Sequence, residues 1–184
     1  MKQLLIVAMI ALTATAANAQ SKYMTRTGKV SFFSHTSMED IKAENNQVSA
    51  VLDPTSGALA YTVLIKSFQF EKALMQEHFN ENYLESDKYP KATFAGKIKD
   101  MSGVDLNKDG EYKVDVEGNL TMKDKSNKIS VPGTITIKDG KIETKTKFTV
   151  KPVDYNIEIP AVVKEKIAQE IEVTVDVALS PMNR

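Results

Sequence analysis

The chain has 184 residues, 24 basic and 24 acidic side chains, 42% hydrophobic residues and no cysteine. That length sustains one domain, and the missing cysteine excludes a disulfide scaffold, a thiolate zinc site, an iron–sulfur cluster and a cysteine nucleophile. Balanced charge argues against nucleic acid as the main partner, because phosphate neutralisation needs a basic excess or a strongly basic face.

The first 19 residues read as a secretory signal peptide. Lys2 supplies the positive start, Leu4 to Leu12 is an unbroken apolar run, and Ala17-Asn18-Ala19 forms an A-x-A cleavage site. The run is too short to span a bilayer. Cleavage after Ala19 is expected, which leaves residues 20–184 as a single domain working in the periplasm or secreted.

Period-two alternation dominates the rest of the chain, the mark of strands with one buried face. Strands are predicted near 23–34 and 41–52. The turn Asp53-Pro54-Thr55-Ser56-Gly57 leads to another near 57–66. A helix is predicted over 69–80, where Phe70, Leu74 and His78 recur every fourth residue with Met75 and Phe79 alongside and no proline or glycine. A strand near 92–99 comes next. Asp105 to Gly110 matches the first half of an EF-hand loop, but the twelfth position is Val116 where calcium needs a bidentate Glu. The segment therefore reads as a polar hairpin loop.

Residues 111–122 place Tyr112, Val114, Val116, Gly118, Leu120 and Met122 on one face. A polar loop, 123–128, is predicted to come after them. Asp139-Gly140 is a strong hairpin signal, and a two-residue loop there pairs Ile137 with Ile142, Ile135 with Thr144 and Gly133 with Thr146. Continued, the register pairs Val131 with Phe148 and Ile129 with Val150. Joining Met122 to Ile129 sets Leu120 opposite Val131 and makes 111–150 a three-stranded meander. A short helix is expected over Ala161 to Lys166, and a last strand over 169–179.

Eight antiparallel strands with inward apolar faces close into a barrel without exposed edges, a packed sandwich being the alternative. Such a barrel holds packed side chains or one slender ligand. Gly118, Gly133, Thr144 and Thr146 fall on the inward face, and their small size argues for a cavity.

No catalytic constellation is found. His35 and His78 are the only histidines and lack metal-ligand spacing. Ser34-His35 are strand neighbours that point to opposite faces. No nucleophile elbow, Walker loop or HExxH occurs. Phe68, Phe70, Met75, Phe79, Tyr83, Leu84 and Tyr89 cluster on and around the helix, either as core or as a lid over one barrel mouth that adapts to an apolar guest.

The run from Glu77 to Phe94, EHFNENYLESDKYPKATF, resembles the signature segment of the YceI-like family of exported lipid-binding proteins, with a helical histidine and a loop closing in K-Y-P. Gly118-Asn119-Leu120-Thr121 resembles that family's G-x-L-T strand, and Asp154-Tyr155-Asn156-Ile157 its D-F-G-I segment. The segments keep the family's order along the chain. Two places differ: Met75-Gln76 stands where the family has Arg-Asp, and Lys123-Asp124 where it has His-Gly, so no headgroup role carries over to those positions.

The resemblance implies a lipocalin-like eight-stranded antiparallel barrel with a helix beside its opening. It implies a long isoprenoid-type lipid inside, such as a polyprenyl quinone or phosphate, and no catalysis or other cofactor. The expected lining is Phe32, Tyr61, Ile65, Phe94, Leu120, Ile135, Phe148 and Val173 from the barrel. Phe68, Met75, His78, Phe79 and Tyr83 are expected from the lid. Transient membrane contact suits such a carrier, and a dimer is compatible with the sequence. The rivals are a barrel packed solid that acts through its outer surface, and a hydrolase using His78 with Glu77.

Overall fold

The computed structural model describes residues 22–182; the leader expected at 1–19 lies outside them. The strands are β1 (Tyr23–His35), β2 (Asp40–Leu52), β3 (Ala58–Leu64), β4 (Gln69–Phe70), β5 (Lys91–Ile98), β6 (Gly110–Met122), β7 (Lys125–Lys138), β8 (Lys141–Val150) and β9 (Ile171–Pro181). The single α-helix among the described residues, α1, covers Ala73–His78. Around the sheet the order is β1-β9-β8-β7-β6-β5-β3-β2, and β1 pairs with β2 to close it. The result is the expected eight-stranded antiparallel barrel. The two-residue β4 lies beside β2, pairing Ala43 with Phe70 and Glu44 with Gln69.

The Asp139-Gly140 hairpin forms as the sequence predicts, with both residues at positive φ (50° and 72°) and Ile137 opposite Ile142, Ile135 opposite Thr144, Gly133 opposite Thr146. The ladder stops there, so the expected Val131–Phe148 and Ile129–Val150 pairs do not form. Pro132 brings no N–H to the ladder, and its carbonyl instead accepts the Thr146 hydroxyl at 2.6 Å. Beyond it β7 stays with β6 and β8 with β9. The chain from Pro152 to Lys166, mostly 3₁₀ turns, passes over this seam, tied by Asn127 Nδ2 donating to the Asp154 carbonyl at 2.6 Å.

Two further expectations are corrected. The polar run 123–128 is not a loop. β6 turns into β7 over Lys123-Asp124 alone, with Lys123 at φ 53°. Met122 therefore faces Lys125, and Val116 faces Val131. The shift of four residues preserves every inward face because side chains alternate with period two. The helix is shorter than 69–80. Phe68 and Phe70 belong to extended chain, α1 begins at Ala73, and a wide helical turn over Phe79–Tyr83 continues it, with the Leu84 N–H bonded to the Phe79 carbonyl five residues back. Of the residues expected on its inner face, Leu74 and His78 are exposed, while Met75 and Phe79 are half-buried.

Gly118 has a different purpose from leaving space. It faces Gly96 directly, and a Cβ on Gly118 would sit 2.5 Å from the Gly96 Cα and 2.6 Å from the Ala95 carbonyl and the Phe94 ring. The two glycines let Phe94 fold flat over the β5–β6 pair. Gly118→Ala is expected to lower stability by about 1–3 kcal/mol through overpacking against backbone, read as a shift in the denaturation midpoint with an unchanged slope.

On the outer surface Glu44 is gripped by Lys29 and Lys42, each 2.8 Å away. Those two hydrogen bonds hold its carboxyl at about 2. An acid whose folded value is depressed stabilises the fold above its unfolded value and loses that contribution as pH falls through the folded one. The thermal midpoint of Glu44→Gln is therefore expected below that of the parent at pH 7. The gap should shrink from about pH 4.5 downward and close near pH 2.

Candidate functional site

One half of the barrel interior is filled. Leu52, Ile135, Ile137, Ile142, Val177 and Leu179 are each no more than 2% exposed and form a continuous apolar plug. In the other half, Val114, Val116, Leu120, Ile129, Val131, Phe148, Val150, Val173 and Val175 point inward by the same alternation yet remain partly exposed. What exposes them is an internal cavity of about 580 Å³. Along β6 it runs from Val114 to Met122, about 27 Å of strand at 3.4 Å per residue.

Tyr61 forms its floor. β3 and β8 lie on opposite sides of the closed sheet, separated by three strands in either direction. Nevertheless the Tyr61 hydroxyl reaches Thr144 Oγ1 at 3.2 Å, so the tyrosine crosses the lumen. Its ring looks into the hollow and is only half-covered, while the hydroxyl lies deep within the protein. Burial pushes the phenol above its ordinary value, and the proton stays on.

Near the mouth the wall is aromatic. Phe79, carried inward by the wide turn after α1, lies 5.5 Å from Phe32, 5.4 Å from Phe68 and 5.1 Å from Phe70, centroid to centroid. The rim brings together Glu39, Lys72, Leu74, His78, Lys166 and Ile167. Lys72 Nζ meets Glu39 Oε1 at 2.9 Å. That hydrogen bond, reinforced by the charges of Lys72 and Lys166, holds the Glu39 carboxyl below its usual range.

All thirteen residues named from the sequence lie in the wall of this one cavity: Phe32, Tyr61, Ile65, Phe68, Met75, His78, Phe79, Tyr83, Phe94, Leu120, Ile135, Phe148 and Val173. Their depths differ. Tyr61 and Ile135 are at the floor, whereas Met75 and His78 stand at the rim. His78 is exposed there, and His35 is engaged by Asp40 at 2.6 Å. Among the described residues no three His, Asp or Glu side chains gather as a metal site, and no helix is long and apolar enough to cross a membrane.

The sequence reading missed several lining residues. Val30, Val114, Val116, Val131 and Val175 share the strand parity of those it named, so alternation alone could have found them. Ile157, Ile159, Val163 and Ile167 come from the irregular segment over the β7–β8 seam, which has no period to read. Lys123, where the resembling family has histidine, takes no part in the cavity. Its ammonium ties the Glu85 carboxylate to the Asn156 carbonyl, and that hydrogen bond holds Glu85 below its ordinary value.

Comparison with known proteins agrees with this architecture. The family model of the YceI-like domain matches residues 18–179. A polyisoprenoid-binding domain from Saccharophagus degradans superposes with a TM-score of 0.78 at 16% identity, covering 88% of this chain and 99% of that one. BcnA of Burkholderia cenocepacia gives 0.70 at 20% identity, covering 83% and 96%. A YceI protein of Campylobacter jejuni gives 0.62 at 23% identity, covering 82% and 90%. At these identities the likeness is one of fold. No curated protein matches the sequence.

Gly133 differs from Gly118 in having room. A Cβ there would meet nothing closer than 3.4 Å, and the position opens onto the cavity. Gly133→Leu is expected to fold normally and to lose most uptake of a fluorescent apolar probe, because the added side chain occupies the hollow. Gly133→Ala should keep the uptake.

Proposed function

The chain belongs to the YceI-like domain family, and we propose that it is a non-catalytic carrier of a long isoprenoid-type lipid held inside its barrel. The observation that carries the proposal is the unfilled half of the interior, where aliphatic and aromatic side chains surround a space of about 580 Å³. That volume falls within the ordinary range for small-molecule sites. Each CH₂ taken from water gains about 0.8 kcal/mol. A bilayer offers the lipid a similar gain, so transfer between membrane and barrel is close to neutral and exchange is reversible. One solid packing of the whole barrel does not describe this interior, since only the half below Tyr61 is filled.

Two finer statements belong to the same proposal. The protein acts outside the cytoplasm, after removal of the leader that ends at Ala19. It also exchanges lipid through transient membrane contact, supported by Leu74, 60% exposed on the rim, and by Met38 and Val162, 61% and 89% exposed and next in sequence to the lining residues Glu39 and Val163.

Organic extraction of the purified protein followed by mass spectrometry tests the carrier reading, with a stoichiometric isoprenoid-type lipid expected. Absence of bound lipid, together with no uptake of a fluorescent isoprenoid, would overturn it. Leu120→Glu and Phe148→Glu each place a charge in the wall and are expected to abolish lipid retention in a folded protein, as judged by circular dichroism.

A further inference from the structure

The cavity floor carries a loosely bonded pair of hydroxyls. Tyr61 and Thr144 bring two hydroxyl protons into a largely apolar hollow. One proton is used in the 3.2 Å contact between them. The other is directed at the Val177 carbonyl, 3.5 Å from Thr144 Oγ1. Both contacts are longer than the usual O–H···O bond. An incoming oxygen atom offers either hydroxyl a shorter bond than the one it has.

The wall beside the pair carries little side-chain bulk. Gly133 and Thr146 face each other one pleat above Ile135 and Thr144. The glycine leaves its side of the wall bare, and the Thr146 hydroxyl is already spent on the Pro132 carbonyl at 2.6 Å. The mouth is the opposite: Phe32, Phe68, Phe70 and Phe79 crowd it with rings 5.1–5.7 Å apart. On the rim Lys72 is bonded to Glu39, which leaves Lys166 as the cation a charged headgroup would meet there.

We propose that the lipid enters polar end first, with an uncharged oxygen headgroup received by Tyr61 and Thr144 at the floor and its isoprenoid tail leading back to the mouth. This rests on the carrier reading and narrows its ligand to an isoprenoid alcohol, phenol or quinone. A phosphate is disfavoured there, because Tyr61 and Thr144 supply no cation and an unpaired buried charge is costly. Tyr61 stays protonated throughout the physiological range and serves as donor.

The test compares three probes of one chain length: an isoprenoid alcohol, its phosphate ester and the corresponding hydrocarbon. Tyr61→Phe is expected to weaken the alcohol about 3- to 10-fold, the worth of one hydrogen bond, and to leave the hydrocarbon unchanged. Thr144→Val, on the opposite wall, should give the same pattern and serves if the tyrosine variant does not fold. Equal effects on alcohol and hydrocarbon, or none on either, overturn the floor assignment while leaving the carrier reading intact. So does a phosphate that binds the parent more tightly than the alcohol and weakens in Lys166→Ala. Failure of all three probes to bind the parent overturns both.

Discussion

Closure of the sheet between β1 and β2 governs the rest of the molecule. Once eight strands join edge to edge, the lumen is set by strand number and tilt, not by the side chains that fill it. Every second residue must point into that lumen. Where those residues are isoleucine and leucine, as at Leu52, Ile135, Ile137, Ile142 and Leu179, they meet and exclude everything else. Higher up, valines, Gly133 and threonines are interspersed among larger side chains such as Leu120 and Phe148, and the inward side chains do not meet across the same width. The cavity is the space they leave unfilled within a fixed circumference. Tyr61 marks the boundary, where its hydrogen bond to Thr144 links opposite walls.

The outer face enforces that arrangement. Lys29 with Glu44, Lys145 with Asp176 and Lys147 with Glu172 pair across strands on the solvent side. Each exposed pair is worth little in stability. Their larger effect is on register, because slipping any strand by one residue would drive ammonium and carboxylate groups into an apolar lumen. Balanced charge, which at first only argued against nucleic acid as the main partner, therefore works as a guard on strand pairing. The same guard keeps the hollow apolar without help from disulfides.

Strand parity and the Asp139-Gly140 turn were legible because both depend on local chemistry: period two for one, two residues at positive φ for the other. What failed was non-local or unsignalled. Lys123 adopts a left-handed conformation without being glycine or asparagine, so nothing in the run 123–128 announced a tight turn. Phe70 sits at helical spacing from Leu74 and His78, but pairing with Ala43 on β2 overrode that spacing. The rim pair Glu39–Lys72 joins residues 33 apart, and the cover over the β7–β8 seam has no periodicity at all. Wall residues could be read from the sequence at every depth, from Tyr61 and Ile135 at the floor to Met75 and His78 at the rim; the cross-lumen bond of Tyr61, the rim ion pair and the seam depend on closure and could not.

A half-hollow barrel raises a question of stability, since side chains around a void give up the dispersion contacts that a packed neighbour would supply. A ligand that fills the void restores them and stabilises the folded state by mass action. On the carrier reading proposed above, the barrel must nevertheless remain folded when empty. The division of the interior meets that need. The plug below Tyr61 and the closed backbone ladder do not depend on the ligand, so the empty protein keeps a solid half to hold the hollow half open. Added bulk at an open wall position such as Gly133 would fill the site, while trimming Ile135 or Leu179 would weaken the plug that supports it.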